Sequence, residues 1–191
     1  MRRIDEIAHV EVVRIHTRVP IADPPRIGDA LIAALRAEKP VYVVVHCNHA
    51  KELSPASRAA LARLADAGHP LLAQTVLLKG VNDDPATTES LMRALVRNRV
   101  KPYYLHHADL APGTAHFRAT LADGQAILRA LRGRVSGLCQ PTYVLDIPGG
   151  HGKVPVGPCY VAGPDAAGAY QIADPNGCLH TYGNAPPPVA S

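Results

Sequence analysis

Pro40-Val41-Tyr42-Val43-Val44-Val45, followed at once by His46-Cys47-Asn48-His49, is the stretch that decides the fold. Its apolar part is unbroken and rich in β-branched residues, the mark of a strand covered on both faces. Ser54-Pro55 then opens a helix with an N-cap and a proline at the first position, and Gly68 closes it. Strand, polar turn and capped helix make one βα unit, and the unit repeats outward in both directions. Upstream, Val10 to Ile15 reads as a strand, and Ile27 to about Ala37 as a helix with Leu31, Ile32 and Leu35 on one face. Downstream come a strand at Leu71–Leu78, a helix from Asp84-Pro85 to about Arg99, and a strand at Val100–Leu105. A helix at Thr120–Leu131 with Gly133 after it leads into the strand Thr142–Leu145. Such alternation gives parallel strands joined by right-handed crossovers, the α/β class. Periodicity alone fits an open doubly wound sheet and an arc of a barrel equally well.

After Pro148 the texture changes, with dense Gly and Pro and two short runs, Cys159-Tyr160-Val161 and Ala169-Tyr170-Gln171-Ile172, that read as small antiparallel strands. The chain thus divides into βα repeats over 1–147 and a glycine-rich loop, small β segment and flexible tail over 148–191, the end Pro186 to Ser191 being read as unstructured. A length of 191 residues suits one ordinary domain, and 47% hydrophobic with 19% charged residues describes a folded chain. Twenty basic against sixteen acidic residues leave a mild +4, and aromatics are only 4%, which gives nucleic-acid binding little support. No apolar run is long enough to span a membrane, and the amino terminus lacks a signal-peptide core, so a cytoplasmic protein is expected. The four cysteines, Cys47, Cys139, Cys159 and Cys178, form no CxxC or CxxxCxxC, so local spacing builds neither a zinc knuckle nor an iron–sulfur site. No metal ligands are assigned.

Ligands of parallel α/β folds gather at the carboxyl ends of the strands. Here those ends read Arg14-Ile15-His16-Thr17-Arg18, His46-Cys47-Asn48-His49, Lys79-Gly80-Val81-Asn82-Asp83, His106-His107-Ala108-Asp109 and Asp146-Ile147-Pro148-Gly149-Gly150. Each alone has a bland reading beside the chemical one. His46 and His49 suit turn caps better than a metal pair, and Asp109 and Asp146 suit loop caps better than ligands. His106 and His107 point to opposite faces if both lie in a strand, so at most one faces a pocket. Gln74, inside a strand, needs a hydrogen-bond partner. The sharpest local feature is Pro148-Gly149-Gly150-His151-Gly152-Lys153-Val154-Pro155. It is no Walker loop, because no Ser or Thr follows Lys153 and Pro155 opposes a helix. A lysine on a glycine loop can condense with an aldehyde cofactor, or it can be a solvated turn residue.

Arg14-Ile15-His16-Thr17-Arg18-Val19-Pro20, His46-Cys47-Asn48-His49, Gln74-Thr75-Val76-Leu77-Leu78-Lys79-Gly80-Val81-Asn82-Asp83, Arg99-Val100-Lys101-Pro102-Tyr103-Tyr104 and Asp146-Ile147-Pro148-Gly149-Gly150-His151-Gly152-Lys153 occur in that order. Together, across Val10 to Val161, they resemble the carboxyl-terminal portion of the lysine 2,3-aminomutase family of radical S-adenosylmethionine enzymes. The resemblance implies a partial (β/α) barrel whose amino-terminal half is missing, and an isomerase that moves the 2-amino group of L-lysine to C3. It implies that Lys153 holds pyridoxal phosphate, that Asp109 and Asp146 grip the distal ammonium of a lysine-like substrate, and that Gln74 and His46 line the S-adenosylmethionine site. Arg18 is assigned to a phosphate or carboxylate of the same pocket. The family's 4Fe–4S motif has no counterpart here, nor has the structural zinc site of some members, and His106 stands where some members have tyrosine. The lone chain is therefore expected to be inactive: a truncated product, one half of a split enzyme completed by a cluster-bearing chain, or a non-catalytic remnant that binds a ligand or partner; as partners, a homo-oligomer or a cluster-bearing chain is expected. Relatives that isomerise lysine for modification of a translation elongation factor share the strand motifs, but their lysine loop is less similar.

Overall fold

A computed structural model describes residues 1–183, and the expected tail beyond Pro186 lies outside them. A short helix α1 (Arg2–Asp5) precedes β1 (Val13–Thr17), α2 (Val19–Ala22) and α3 (Asp29–Leu35). Then β2 (Val41–His46), α4 (Pro55–Asp66), β3 (Leu71–Val76), α5 (Pro85–Arg97) and β4 (Val100–His106) alternate. α6 (Leu121–Leu131) leads to β5 (Thr142–Asp146) and β6 (Lys153–Pro155). The chain continues through β7 (Val161–Ala162), β8 (Tyr170–Ala173) and β9 (Leu179–Tyr182), a separate three-stranded antiparallel sheet. No helix among the described residues is long and apolar enough to cross a membrane.

The main sheet runs β1-β2-β3-β4-β5-β6, with β1 to β5 parallel and β6 antiparallel to β5. The order advances in one direction and never reverses, which removes the doubly wound alternative, since that topology needs a switch point. Right-handed crossovers that always advance the same way deliver their helices to the same face. The helices start where local chemistry says they should. Ser54 Oγ accepts from Ser57 N–H, Asp84 Oδ1 from Thr87 N–H, and Thr120 with Asp123 forms a reciprocal capping box. Gly68 follows α4 at φ +88°, a conformation that glycine adopts without strain.

The core lies between the sheet and these helices. Val43, Val45, Leu71, Ala73, Leu105 and Tyr143 point into it and meet Leu61, Leu64, Leu91, Leu95, Ile127 and Leu131. Gly124 of α6 makes room for Tyr143, because a Cβ there would fall 2.2 Å from the ring. The Tyr143 hydroxyl meets His107 Nδ1 at 2.7 Å, and burial pushes its pKa up to about 12. Between β3 and β4 the register slips at Ala73/Gln74, so that Pro102 opposes Ala73 while Tyr104 opposes Gln74. Tyr103 is the extra residue, a β-bulge beside a proline that cannot donate to the ladder.

Two expectations shift. β1 begins at Val13, whose N–H donates to Pro40 O as the first inter-strand bond, and it runs on to Thr17 because pairing with β2 continues. The division expected at 147/148 falls inside a hairpin: Asp146 pairs with Lys153, so β6 extends the main sheet. The edge position tolerates Pro155 at the end of that strand, which is why a proline there did not reveal it.

Candidate active site

Alternation along the strands places every second side chain on the face that the helices leave bare. Registers His46↔Gln74↔Tyr104, Val76↔His106↔Val144 and Asp146↔Lys153 set polar side chains in three successive rows of that face, His106 lying between two valines. These side chains form two clusters.

The first lies on β1 to β3. His16 Nδ1 donates to Gln74 Oε1 at 3.1 Å, which supplies the partner that a glutamine within a strand requires. The His16 and His46 rings meet edge-on at 6.2 Å, and His46 Nε2 is buried without a partner among the described residues. Burial, then the neighbouring His16 and Arg18, lower the His46 pKa, so the ring stays neutral at neutral pH.

The second lies on β4 to β6. Lys153 Nζ donates to Asp146 Oδ2 at 3.2 Å and, at a longer 3.4 Å, to His106 Nδ1. It also sits 5.1 Å above the centre of the Tyr104 ring. His106 Nδ1 is 3.4 Å from the same Asp146 oxygen, and its Nε2 is buried without a partner among the described residues. Burial and then the Lys153 charge lower the His106 pKa, only partly offset by Asp146. His106 is thus a neutral acceptor for the lysine. His107 takes the opposite face, as parity requires.

A cavity of about 740 Å³ opens beside this second cluster, and Lys153, Asp146 and Asp109 line it together with Gly150 and Gly152. The structure therefore gathers three of the expected residues in one place. The loop that shapes the cavity closes with Ile147 N–H donating to Gly152 O at 2.8 Å, and Gly149, Gly150 and Gly152 all have positive φ. At Gly150 and Gly152 a Cβ would meet nothing within 4 Å, so the bare backbone faces open space and an anionic group can approach its N–H donors. A primary amine, an exposed backbone turn and a cavity of small-molecule size with His107 on its wall suit an aldehyde bearing a phosphate.

Gln74 and His46 share the bare face but belong to the first cluster. Arg18 lies near enough to His46 to lower its pKa; it holds the N-cap position of α2 without a side-chain bond there and pairs with Glu52 at 2.5 Å. Glu52 in turn accepts from the N–H groups of Asn48 and His49, so its carboxylate ties the turn after β2 to the arginine. His49 caps the short 3-10 turn Ala50–Glu52 through its ring. Sequence reasoning passed over Tyr104 and His16 as parts of the site. Strand parity anchored on Gln74 gives the signal for His16, whereas the bulge hides Tyr104. It also passed over Asn82, which is buried, donates to Asn48 O and Val76 O, and accepts from Leu78 N–H, clamping the ends of β2 and β3. Among the described residues no group of three or more His, Cys, Asp or Glu side chains could hold a metal, and the donor set does not fit an iron–sulfur cluster. Cys47 and Cys139 are buried while Cys159 and Cys178 are exposed in the distal region.

Comparison with known proteins follows this geometry. Residues 128–173 match the family model described as lysine-2,3-aminomutase. The L-lysine 2,3-aminomutase of Acetoanaerobium sticklandii is 48% identical over 84% of this chain and 39% of its own length. The L-lysine 2,3-aminomutase of Methanococcus maripaludis is 45% identical over 84% of this chain and 37% of its own. The glutamate 2,3-aminomutase of Clostridioides difficile is 40% identical over 84% and 38%. The chain thus spans less than half the length of these relatives. Among solved structures, a radical SAM methyltransferase from Sphaerobacter thermophilus matches 69% of this chain and 40% of its own, with a TM-score of 0.50 and 22% identity, a likeness of fold.

Proposed function

We propose, on the premise that this chain is related to the carboxyl-terminal part of the lysine 2,3-aminomutases, that it supplies the cofactor-anchoring and cation-recognising portion of a radical S-adenosylmethionine aminomutase acting on L-lysine. The observation that carries the reading is the cavity in which Lys153 Nζ lies 3.2 Å from Asp146 with Asp109 on the same wall. In this reading the sheet is an arc of a barrel. Lys153 offers the amine that holds pyridoxal phosphate, and the Gly149–Gly152 turn lies beside it for the phosphate. Pyridoxal phosphate, when bound, supplies a π-system that can delocalise an unpaired electron while nitrogen migrates.

The chain's own residues do the rest of the recognition. Asp109 and Asp146 accept hydrogen bonds from a distal ammonium, which needs charge compensation once it leaves water. Two carboxylates in one cavity repel a second carboxylate on the substrate, so the pair favours a dibasic amino acid over an acidic one. His106 keeps Nζ oriented. Gln74 and His46 line the side of the bare face that S-adenosylmethionine would occupy. The cluster that would generate the radical is not built by the described residues, so no step is assigned to it and the isolated chain is expected to be inactive.

The test is a pyridoxal phosphate titration of the purified chain followed by borohydride trapping and peptide mapping. The expected result is a single adduct on Lys153 that Lys153→Ala abolishes. A folded sample that yields no saturable adduct, or one elsewhere, overturns the reading. A second reading, one half of a split enzyme, has its own observation. β1 is an edge of the main sheet, and an apolar groove of about 700 Å³ lined by Ile15, Val19, Ile27 and Leu31 runs beside it. Co-expression with a polypeptide carrying CxxxCxxC then gives an equimolar complex, and elution of the chain alone discards that reading.

A further inference from the structure

We infer that Lys153 and an incoming substrate ammonium compete for Asp146, so that this carboxylate becomes a cation site only when Lys153 has given it up. The inference rests on the proposed assignment of Asp146 to the substrate and adds a condition on its use.

The backbone enforces the competition. Asp146 and Lys153 are directly opposed in the β5–β6 register, so their side chains rise from neighbouring positions on the same face of the hairpin. The Lys153 Nζ lies 3.2 Å from Asp146 Oδ2. His106 Nδ1 lies 3.4 Å from both the amine and that oxygen, and its lowered pKa keeps it from adding a second cation. One ammonium and one carboxylate therefore balance inside the cluster, with Asp109 exposed at the cavity wall. A second ammonium arriving there meets a carboxylate already engaged and a like charge a few ångströms away.

Condensation of Lys153 with an aldehyde removes the obstacle. The C=N bond forms, the aldehyde oxygen leaves as water with two hydrogens from the ammonium, and the remaining ammonium proton passes to solvent. Asp146 then lacks its internal cation. Attachment of the aldehyde thus frees Asp146 for the distal ammonium of a diamino acid. It also makes a free-standing dibasic amino acid a poor ligand of the unmodified chain.

The experiment is calorimetric titration of the full chain and three variants with L-lysine, using norleucine as the ligand of similar shape without a distal ammonium. Far-UV circular dichroism of each variant confirms the fold. Lys153→Met is expected to bind lysine about fivefold more tightly than the parent, the scale of a partly exposed ion pair. Lys153→Arg, which keeps the charge, is expected to bind as weakly as the parent. Adding Asp146→Asn to Lys153→Met is expected to erase the gain, and norleucine is expected to show no gain in any variant. Equal binding by the parent and Lys153→Met, with loss in the Asp146→Asn background, overturns the competition and leaves the cation site standing. No lysine binding by Lys153→Met overturns the inference as well. Trapping on Lys153 decides the broader reading separately.

Discussion

The two faces of the main sheet are built from alternate residues of the same strands, yet they share almost no chemistry. On the covered side Val43, Val45, Leu71, Leu105 and Tyr143 meet the helices and are essentially shut off from water. On the bare side the same strands present His16, His46, Gln74, Tyr104, His106 and Asp146, with Lys153 added by the terminal hairpin. A β-strand alternates its side chains at every step, so one segment can serve stability and chemistry at once, provided that the register holds. The faces should therefore respond differently to substitution, stability answering on one and binding on the other.

Leu91→Ala tests the covered face most severely. Leu91 is fully buried in α5, and the lost methylenes plus the cavity should cost about 3 kcal/mol of unfolding free energy, read by urea titration with an unchanged m-value. A cost under about 1 kcal/mol would mean that this layer is not the core. Gly124→Ala attacks the same face from the opposite direction. The new methyl meets the Tyr143 ring, and overpacking outweighs the better helix propensity of alanine, for a net loss of about 1–2 kcal/mol. The His107–Tyr143 contact should loosen as well. Adding Tyr143→Phe should not restore stability, because the ring itself is the obstacle.

Acid should act on both faces through their histidines. His46, His106 and His107 all have pKa values lowered from 6.5, with burial the largest cause in each. Below about 6.5 the unfolded chain binds protons that the folded chain refuses, so stability falls as pH drops from neutrality and is fully present above that value. Thermal melts at about pH 7.5, 6.5 and 5.5, which bracket the histidine range, should show a falling midpoint in that order. A flat profile would remove the idea that these rings are held neutral. The smallest effect is reserved for the bare face: Gln74→Leu should change stability by less than about 0.5 kcal/mol, as expected for a partly exposed site. A much larger loss would show that the His16–Gln74 contact is structural.

Much of this arrangement could be read from residue order alone. Apolar runs such as Val41–Val45 and the Ser54-Pro55 and Asp84-Pro85 signals fixed strand and helix positions, because burial on both sides and capping are local properties. The gathering of Lys153, Asp109 and Asp146 was also legible, through motif order. What escaped depends on pairing. β6 is three residues long and its identity comes from lying against β5, while β9 reads as an unremarkable Leu179-His180-Thr181-Tyr182 until its hairpin with β8 closes. The pairing of Arg18 with Glu52 also escaped, because the two residues are 34 apart and nothing local announces the contact.

The bulge at Tyr103 decides which of two adjacent histidines joins the lysine. With Tyr103 as the extra residue, Tyr104 and His106 face outward while Leu105 and His107 turn toward the helices. Were the pairing to continue without the slip, Tyr103, Leu105 and His107 would occupy the outer face, and Tyr104 and His106 would be driven into the apolar layer. The tandem His106-His107 therefore works as a reading-frame problem in side chains: one uncounted residue selects the frame. Deleting Tyr103 would remove the bulge yet leave Tyr104 opposite Gln74 and His106 opposite Val76, whereas straightening the strand with Tyr103 still in place would transpose the roles of every residue from there to its end.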